Sequence, residues 1–373
     1  MREDVDYLLY SPQVETVAPD EQETFDELSR TMQHITRHMA TRYRHAYRPV
    51  HAKSHGVLVG TLEVLPNLAP ALSQGLFQEA STHPVIMRFS TNPGDLLADN
   101  VSSPRGLAIK VLNVDGPKVP NHGNQTTQDF VCINATAFPA PDAKGFLEQM
   151  KLFDKTLDTP EGVKHAVSVA ARATNAVLKV VHLPSSTLEG IGASATHILG
   201  ETFSTVAPLR YGDYVAKIEI APGSDLKKLT GKGINLNADY NALEELIKEF
   251  FREQTGVWDV KVQLALAPGR EGLAEKDKDF PIEAADKEWP EDKSPWMTVG
   301  HITATPQDSY SDARQLFVDE RLSFSPWHAL EAHRPLGGIM RSRLKAYEEA
   351  AAYRVQRNER EKSEPSDVAE VPA

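Results

Sequence analysis

A histidine near the start of the chain and a tyrosine near its end are the residues best suited to chemistry. His51 lies in the segment Arg48-Pro-Val-His51-Ala-Lys, just before a strand-like run that starts at Val57. An imidazole at this place could move protons at neutral pH. A lone histidine is more often a hydrogen-bonded structural residue, so the assignment needs support from other segments.

Tyr347 stands in a predicted helix over residues 336–357, four positions after Arg343 and seven before Arg354. Residues at these spacings lie near one face of a helix. A phenol with a pKa of about 10 is a poor metal ligand at neutral pH, but a nearby guanidinium favours the phenolate, as does ferric iron. The spacing therefore allows an iron-binding tyrosinate, although a single Arg-x-x-x-Tyr pair also fits an ordinary surface contact.

Two further arginines occur in strand-like segments, Arg88 in Arg88-Phe-Ser90-Thr and Arg105 in Pro104-Arg105-Gly106. Guanidinium groups pair well with carboxylates because their fork of donors matches two oxygens. The same arginines would also fit exposed ion pairs at the rim of a sheet, each worth under about 1 kcal/mol. Composition does not separate these two interpretations.

The elements that position these residues are strands in two groups, with helices before, between and after them. The first group comprises Val57–Val64, Val85–Thr91, Gly106–Leu112 and Asp129–Asn134, and the second Tyr214–Ile220, Val257–Ala267 and Met297–Thr305. Helical spacing of apolar residues occurs over residues 20–42, 142–200 and 242–254. This order predicts an α+β fold, an antiparallel β-barrel with helical additions.

We predict an N-terminal arm with an amphipathic helix over residues 1–42, one barrel domain over 43–357 with a helical insert at about 142–200, and a disordered tail over 358–373. The net charge of −12, with acidic and basic residues interspersed, argues against nucleic acid as a partner. The polar N-terminus and the lack of a long apolar run argue against a signal peptide and membrane insertion. A single cysteine, Cys132, favours a reducing compartment, and we expect a cytoplasmic protein that binds a small molecule.

Taken together and in order, these segments resemble the haem catalase family over roughly residues 42–356. The segments that carry the resemblance are Arg48-Pro-Val-His51-Ala-Lys, Arg88-Phe-Ser90-Thr, Pro104-Arg105-Gly106, Asp129-Phe-Val, Trp289-Pro290, Phe324-Ser-Pro326, Arg343-x-x-x-Tyr347 and Arg354. The stretch from Phe324 to Leu330 is similar to the smaller catalase-like proteins, which include peroxidases and the allene oxide synthase branch. The resemblance implies that residues 43–357 enclose a haem b.

The resemblance also implies a role for each matching residue. Tyr347 would be the iron ligand, with Arg343 holding it as phenolate, and His51 the acid/base on the other side, with Ser90 fixing its tautomer. The residues implied to contact the haem are Arg48, Arg88 and Arg354 at its propionates, together with Val50, Phe138 and Phe146.

One position departs from the family pattern. Counted without gaps, Ile133 falls where the family has a catalytic asparagine, and Asn134 comes one residue late. A shift of one residue in a strand turns a side chain to the other face, so Asn134 could act only if a bulge intervenes. Ile133 would make the pocket more apolar and favour organic hydroperoxides.

The leading expectation is a haem peroxidase or weak catalase that acts on hydrogen peroxide or organic hydroperoxides, with an unknown electron donor. A second interpretation is a lipid hydroperoxide isomerase or lyase, disfavoured by Val50, since the allene oxide synthase branch has threonine there. A third is a non-catalytic haem-binding protein. Oligomeric state stays open, although the N-terminal arm resembles segments that contact neighbouring subunits in the family.

Overall fold

The strand-like runs of the sequence form a closed antiparallel β-barrel with helices packed outside it, which confirms the predicted fold class. The computed structural model describes residues 6–101, 103–120, 122, 125–160, 162–167, 195–268 and 279–373. Around the barrel the strands follow the order β1-β2-β3-β4-β5-β7-β8-β9, with β9 paired to β1, and the pairing of β5 with β7 closes the ring. Strand β6 pairs with β7 beside this ring.

The strands are β1 (Lys53–Val64), β2 (Thr82–Thr91), β3 (Arg105–Val111), β4 (Gln128–Ile133), β5 (Phe203–Ser204), β6 (Leu209–Tyr211), β7 (Tyr214–Pro222), β8 (Gly256–Leu264) and β9 (Met297–Ala304). The main helices are α1 (Glu21–Tyr43), α2 (Ala143–Lys155), α3 (Ala242–Phe251), α4 (Asp312–Leu316) and α5 (Gly338–Arg357). A π-helical turn, Phe317–Arg321, continues α4.

All seven predicted strands are present within a few residues of their expected ends. Strands β5 and β6 were not predicted, because strands of two and three residues are too short to show a periodic pattern. The predicted helices at both ends of the chain and at α3 are also present. Of the predicted helical insert, α2 and residues 162–167 are helical, and residues 168–194 lie outside the described residues. Among the described residues, no helix has both the length and the apolar composition needed to cross a bilayer.

Strands β1 to β4 are buried on both of their faces. Their inward side chains, such as Leu58, Met87 and Ile109, belong to the apolar core inside the barrel. The side chains that alternate with them, such as Ala108 and Val131, point outward and are covered by other parts of the chain. On this outer side α1, α2 and α5 pack together through one apolar cluster, so the space between barrel and helices is enclosed.

The prediction of a disordered tail over residues 358–373 differs from the structure. Val371 is buried in an apolar cluster on the outside of the barrel. Ser311 Oγ donates to the Ala373 carbonyl at 2.6 Å, and Arg314 Nε donates to the Pro372 carbonyl at 2.7 Å. The polar composition of the segment was misleading because a few anchors far apart in the sequence determine its path.

One of these anchors is a buried ion pair between the tail and the barrel. Glu364 Oε2 lies 3.0 Å from Nζ of Lys110, which is fully buried on β3 and also pairs with Asp129 at 2.9 Å. Burial raises the pKa of the Glu364 carboxyl, but the nearby cations, Lys110 first, outweigh burial and lower it to about 2. The ionised carboxylate therefore stabilises the folded state.

We predict that Glu364→Gln lowers the free energy of unfolding at pH 7 by about 3 kcal/mol, the equivalent of that pKa shift. The depressed pKa implies that this contribution is complete above the unfolded-state value of 4.5 and is lost as pH falls through about 2. Urea denaturation between pH 2 and 7 measures the difference from wild type. Glu361→Gln, at an exposed neighbour, should change little, and a difference that persists undiminished at pH 2 would contradict the ion-pair explanation.

Candidate functional site

Two adjoining cavities lie between the outer face of β2, β3 and β4 and the helices α1 and α5. Together with the open solvent at their mouths they measure about 660 Å³ and 810 Å³. Both are lined by His51 and Tyr347, the two residues singled out in the sequence. The other residues that line both are Met32, Val50, Val131 and Ala346. The tertiary structure therefore brings the two ends of the chain to one site.

His51 is held in place from three sides. Its backbone has a positive φ of 54°, a conformation uncommon for residues other than glycine, and Arg88 stabilises it by donating to the carbonyls of His51 at 3.1 Å and Ala52 at 3.2 Å. Ser90 Oγ lies 3.3 Å from Nδ1 of the ring. A Cβ at Gly106 would lie 2.7 Å from the ring, so only glycine allows the imidazole this close to β3.

The environment of His51 keeps its ring neutral. Burial, followed by the positive charges of Arg88 and Arg343, lowers the pKa of the imidazole to about 3. At neutral pH one ring nitrogen therefore carries a lone pair that can accept a proton. In the contact with Ser90 the Nδ1–H can donate to the hydroxyl, and in that tautomer Nε2 is free to accept a proton.

Tyr347 reaches the cavities from α5, where Ala346, Ala350 and Ala351 leave space along the same helix. Arg343 lies one turn earlier and lines the second cavity. Its Nη1 donates to Met340 Sδ at 3.5 Å and its guanidinium lies 5.4 Å from the centre of the Phe138 ring. Within the described part of the chain no hydrogen bond joins Arg343 to the Tyr347 hydroxyl. The two residues are therefore related by their spacing of one helical turn and not by a direct contact.

The far end of the first cavity is strongly cationic. Arg88 and Arg354 are buried there, and the Arg48 side chain is 13% exposed. The carboxylate near them is Asp319, whose Oδ1 lies 2.6 Å from Arg48 and 3.3 Å from Arg88. Burial and the neighbouring cations lower the pKa of Arg48 well below its usual value, and burial lowers that of Arg354 to about 10.

This arginine cluster, Arg48, Arg88 and Arg354, fits the haem that the sequence resemblance implies. The Nε atoms of Arg88 and Arg354 are buried without a hydrogen-bond partner. Buried cations need compensating charge, and one aspartate does not balance three guanidiniums. The two propionates of a haem would supply the missing negative charge and acceptors. Asp319 had no signal in the sequence, because only the fold brings it to the arginines.

The opposite end of the site, in the second cavity, is apolar and aromatic. Phe138, from the loop after β4, and Phe146, from α2, meet edge to face with ring centroids 5.1 Å apart. Both line this cavity, and their expected contact with a haem stays a prediction. The site thus has a cationic end and an apolar end, which suits an amphipathic ligand.

The structure does not bring Asn134 to the cavities. Its Oδ1 accepts from the Arg105 backbone N–H at 2.8 Å, and its Nδ2 donates to Glu201 at 2.9 Å. Strand β4 pairs with β3 in regular register up to Ile133, with no bulge that would turn Asn134 towards the cavities on the outer face. Ile133 and Val131 therefore line the second cavity on the outer face of the strand.

Comparisons with known proteins show the family of the chain and its fold. A sequence model of the family described as Catalase matches residues 27–362. The structure is similar to catalase A from Saccharomyces cerevisiae, with a TM-score of 0.60 and 18% identity over 85% of this chain and 63% of that one. A fungal catalase gives a TM-score of 0.56 and 18% identity over 85% of this chain and 61% of its own. A bacterial catalase gives a TM-score of 0.56 and 17% identity over 95% of this chain and 64% of its own.

At these identities the structural matches show a shared fold. The chain spans less than two thirds of the length of each of these three proteins. In the described ranges no group of three or more His, Cys, Asp or Glu side chains could hold a bare metal ion.

We predict that the imidazole of His51 does not titrate between pH 4 and 8 in the protein without added haem, because burial and two cations hold its pKa near 3. Histidine-selective NMR over that range measures this, with His51→Gln identifying the signal. Arg343→Met should raise the pKa of His51 by a fraction of a unit, since burial is the larger cause. A midpoint above pH 5 in the wild-type protein would show that the ring is not buried as described.

Proposed function

The chain belongs to the catalase family, and on this premise we propose that it is a haem-dependent peroxidase or weak catalase that reduces hydrogen peroxide and organic hydroperoxides. The observation that carries the proposal is that His51 and Tyr347 line the same two adjoining cavities, next to the buried arginine cluster. These are the groups that haem-based peroxide chemistry requires: a proton carrier, an anionic oxygen ligand and a counter-charge for the propionates.

The residues that would hold the cofactor come from three elements. Tyr347 on α5 would bind the iron through its phenolate oxygen, favoured by the positive charge of Arg343 one turn away. The arginine cluster would bind the propionates. Bound haem b would supply a redox-active ferric iron at which the O–O bond of a peroxide can break.

His51 would move the proton that this reaction requires. Its Nε2 takes the proton from the peroxide hydroxyl and returns it to the oxygen that leaves as alcohol or water. The neutral ring is in the correct state for the first step over the whole physiological range. Ser90 and Gly106 keep its plane and tautomer constant while the proton moves.

The apolar end of the site favours organic hydroperoxides over hydrogen peroxide. Ile133 provides no hydrogen bond to place a small polar peroxide, whereas Phe138 and Phe146 offer apolar surface to an alkyl or aryl group. Reduction of such a hydroperoxide yields an alcohol and water and consumes two electrons from an external donor. We propose that this happens in the cytoplasm, in keeping with the buried free thiol of Cys132.

The same apolar wall also suits a second candidate, the isomerisation or cleavage of lipid hydroperoxides, which needs no electron donor. Three assays distinguish the activities: oxygen release from hydrogen peroxide, donor oxidation with cumene hydroperoxide, and donor-free consumption of a fatty-acid hydroperoxide. Consumption without a donor and without alcohol formation would favour isomerisation. Inactivity of the haem-loaded protein in all three would contradict both enzymatic proposals.

We predict that Tyr347→Phe loses the high-spin ferric spectrum of tyrosinate-ligated haem and binds haemin at least about tenfold more weakly, because phenylalanine has no oxygen ligand. Absorption titration with haemin measures both changes. Tyr353→Phe, on the same helix but outside both cavities, is the matched control and should keep the wild-type spectrum. A wild-type protein that takes up no haemin would contradict the proposed function.

We predict that Ile133→Asn shifts preference towards hydrogen peroxide, since an amide at this position can place the small peroxide. One added hydrogen bond of about 1 kcal/mol corresponds to about a fivefold rise in kcat/KM for hydrogen peroxide relative to cumene hydroperoxide. Steady-state kinetics of the haem-loaded proteins give this ratio. Asn134→Ala should leave the ratio unchanged, because Asn134 lies away from the cavities, and an unchanged ratio in Ile133→Asn would show that Ile133 does not control substrate choice.

A further inference from the structure

Asp319 is a carboxylate at the place where the proposed cofactor would put its own carboxylates. It lies in the π-helical turn Phe317–Arg321, and its side chain is 18% exposed. Its Oδ1 accepts from both Arg48 and Arg88. It also interacts electrostatically with Arg354, so it affects all three members of the arginine cluster.

The π-helical turn supplies the cluster with more than one acceptor. Arg48 donates to the carbonyls of Val318 at 2.8 Å and Leu322 at 3.1 Å, and Arg354 donates to the same Leu322 carbonyl at 3.2 Å. These carbonyls belong to the end of the helical segment formed by α4 and the turn, where backbone carbonyls lack helical partners and carry partial negative charge. The turn therefore fixes the guanidiniums by neutral acceptors as well as by Asp319.

The charges of the site decide what Asp319 does when a ligand binds. Three guanidiniums and one aspartate leave two positive charges, which match the two propionates of a haem. In the free protein Asp319 relieves repulsion among the arginines. In the loaded protein it competes with the propionates for donors of Arg48 and Arg88 and repels them across the same cluster.

We propose that Asp319 is a cofactor-positioning residue that holds the arginine cluster ready in the haem-free protein and thereby limits its affinity for haem. The inference rests on the proposed function, because it concerns the same site. It implies opposite effects of one carboxylate on two states: stabilisation of the free protein and weakening of the loaded one. A purely structural ion pair would stabilise both states alike.

The test is Asp319→Asn, which removes the charge and keeps the shape. The haem-free variant should melt at a lower temperature than wild type, because two buried guanidiniums lose their counter-ion. It should bind haemin about fivefold more tightly, since the repulsion with the propionates is gone. Haemin dimethyl ester, whose propionates are uncharged, should show no such gain. Thermal melts and absorption titrations with the two porphyrins measure these effects.

Glu320→Gln is the matched control, at the next residue of the same turn. Glu320 is also buried, but it pairs with Arg360 and His45 outside the cluster. The Glu320→Gln substitution should lower the melting temperature of the haem-free protein and leave its affinity for haemin unchanged. Equal effects of the two substitutions on haemin affinity would overturn the role assigned to Asp319.

A second comparison keeps the test decisive if Asp319→Asn alone does not fold. In Arg48→Gln/Asp319→Asn both members of the shortest ion pair are neutral, so Arg88, 3.3 Å from Asp319, is the one ion-paired arginine that loses its carboxylate. This double variant should bind haemin more tightly than Arg48→Gln. Equal or weaker binding would overturn the inference while leaving the proposed function intact, whereas a wild-type protein that binds no haemin would overturn both.

Discussion

Burial of positive charge against the outer face of the barrel is the constraint around which the site is organised. Guanidinium groups are costly to remove from water, and the chain meets the cost with backbone carbonyls and one aspartate. Arg88 shows the consequence most directly, because its donors hold the carbonyls of His51 and Ala52. The hydrogen bonds that stabilise the buried Arg88 guanidinium also hold His51 in its backbone conformation with positive φ. The burial of the Arg88 charge and the placement of His51 thus depend on the same hydrogen bonds.

The barrel contributes a flat wall and the helices contribute the opposite one. The side chains on the outer face of the sheet are short at Gly106, Ala108 and Val131, and those on α5 are short at its alanines. Short side chains on both walls leave space between the sheet and the helix. In the closed barrel each strand of the ring is paired on both sides, and the interior is filled with apolar side chains. The space for a cofactor is therefore outside the barrel and requires α1 and α5 to complete it.

The two ends of this space differ in chemistry, which orients any amphipathic occupant. The arginine cluster marks one end, and the Phe138 and Phe146 pair marks the other. Ile133 lines the same cavity as His51 and the two phenylalanines and adds an apolar side chain to its wall. In a strand with regular register this residue cannot exchange places with Asn134 without reversing the whole face. The pairing of β3 and β4 therefore decides that Ile133, and not Asn134, lines the site.

Periodicity in the sequence was sufficient to predict the long strands, the terminal helices and the α+β class, because hydrophobic spacing is a local property. Motif order singled out His51 and Tyr347, which the structure brings to the same cavities, but it also offered Asn134, which lies away from them, and the roles of these residues stay predictions. Tertiary structure decided what depends on contacts between distant segments. The barrel is closed by β5, which is too short to show a pattern, and the tail is held by a partner on β3. Asp319 meets the arginines because the π-helical turn that carries it lies beside them. Local spacing predicts elements and faces, whereas compensation of buried charge depends on which distant segments the fold brings together.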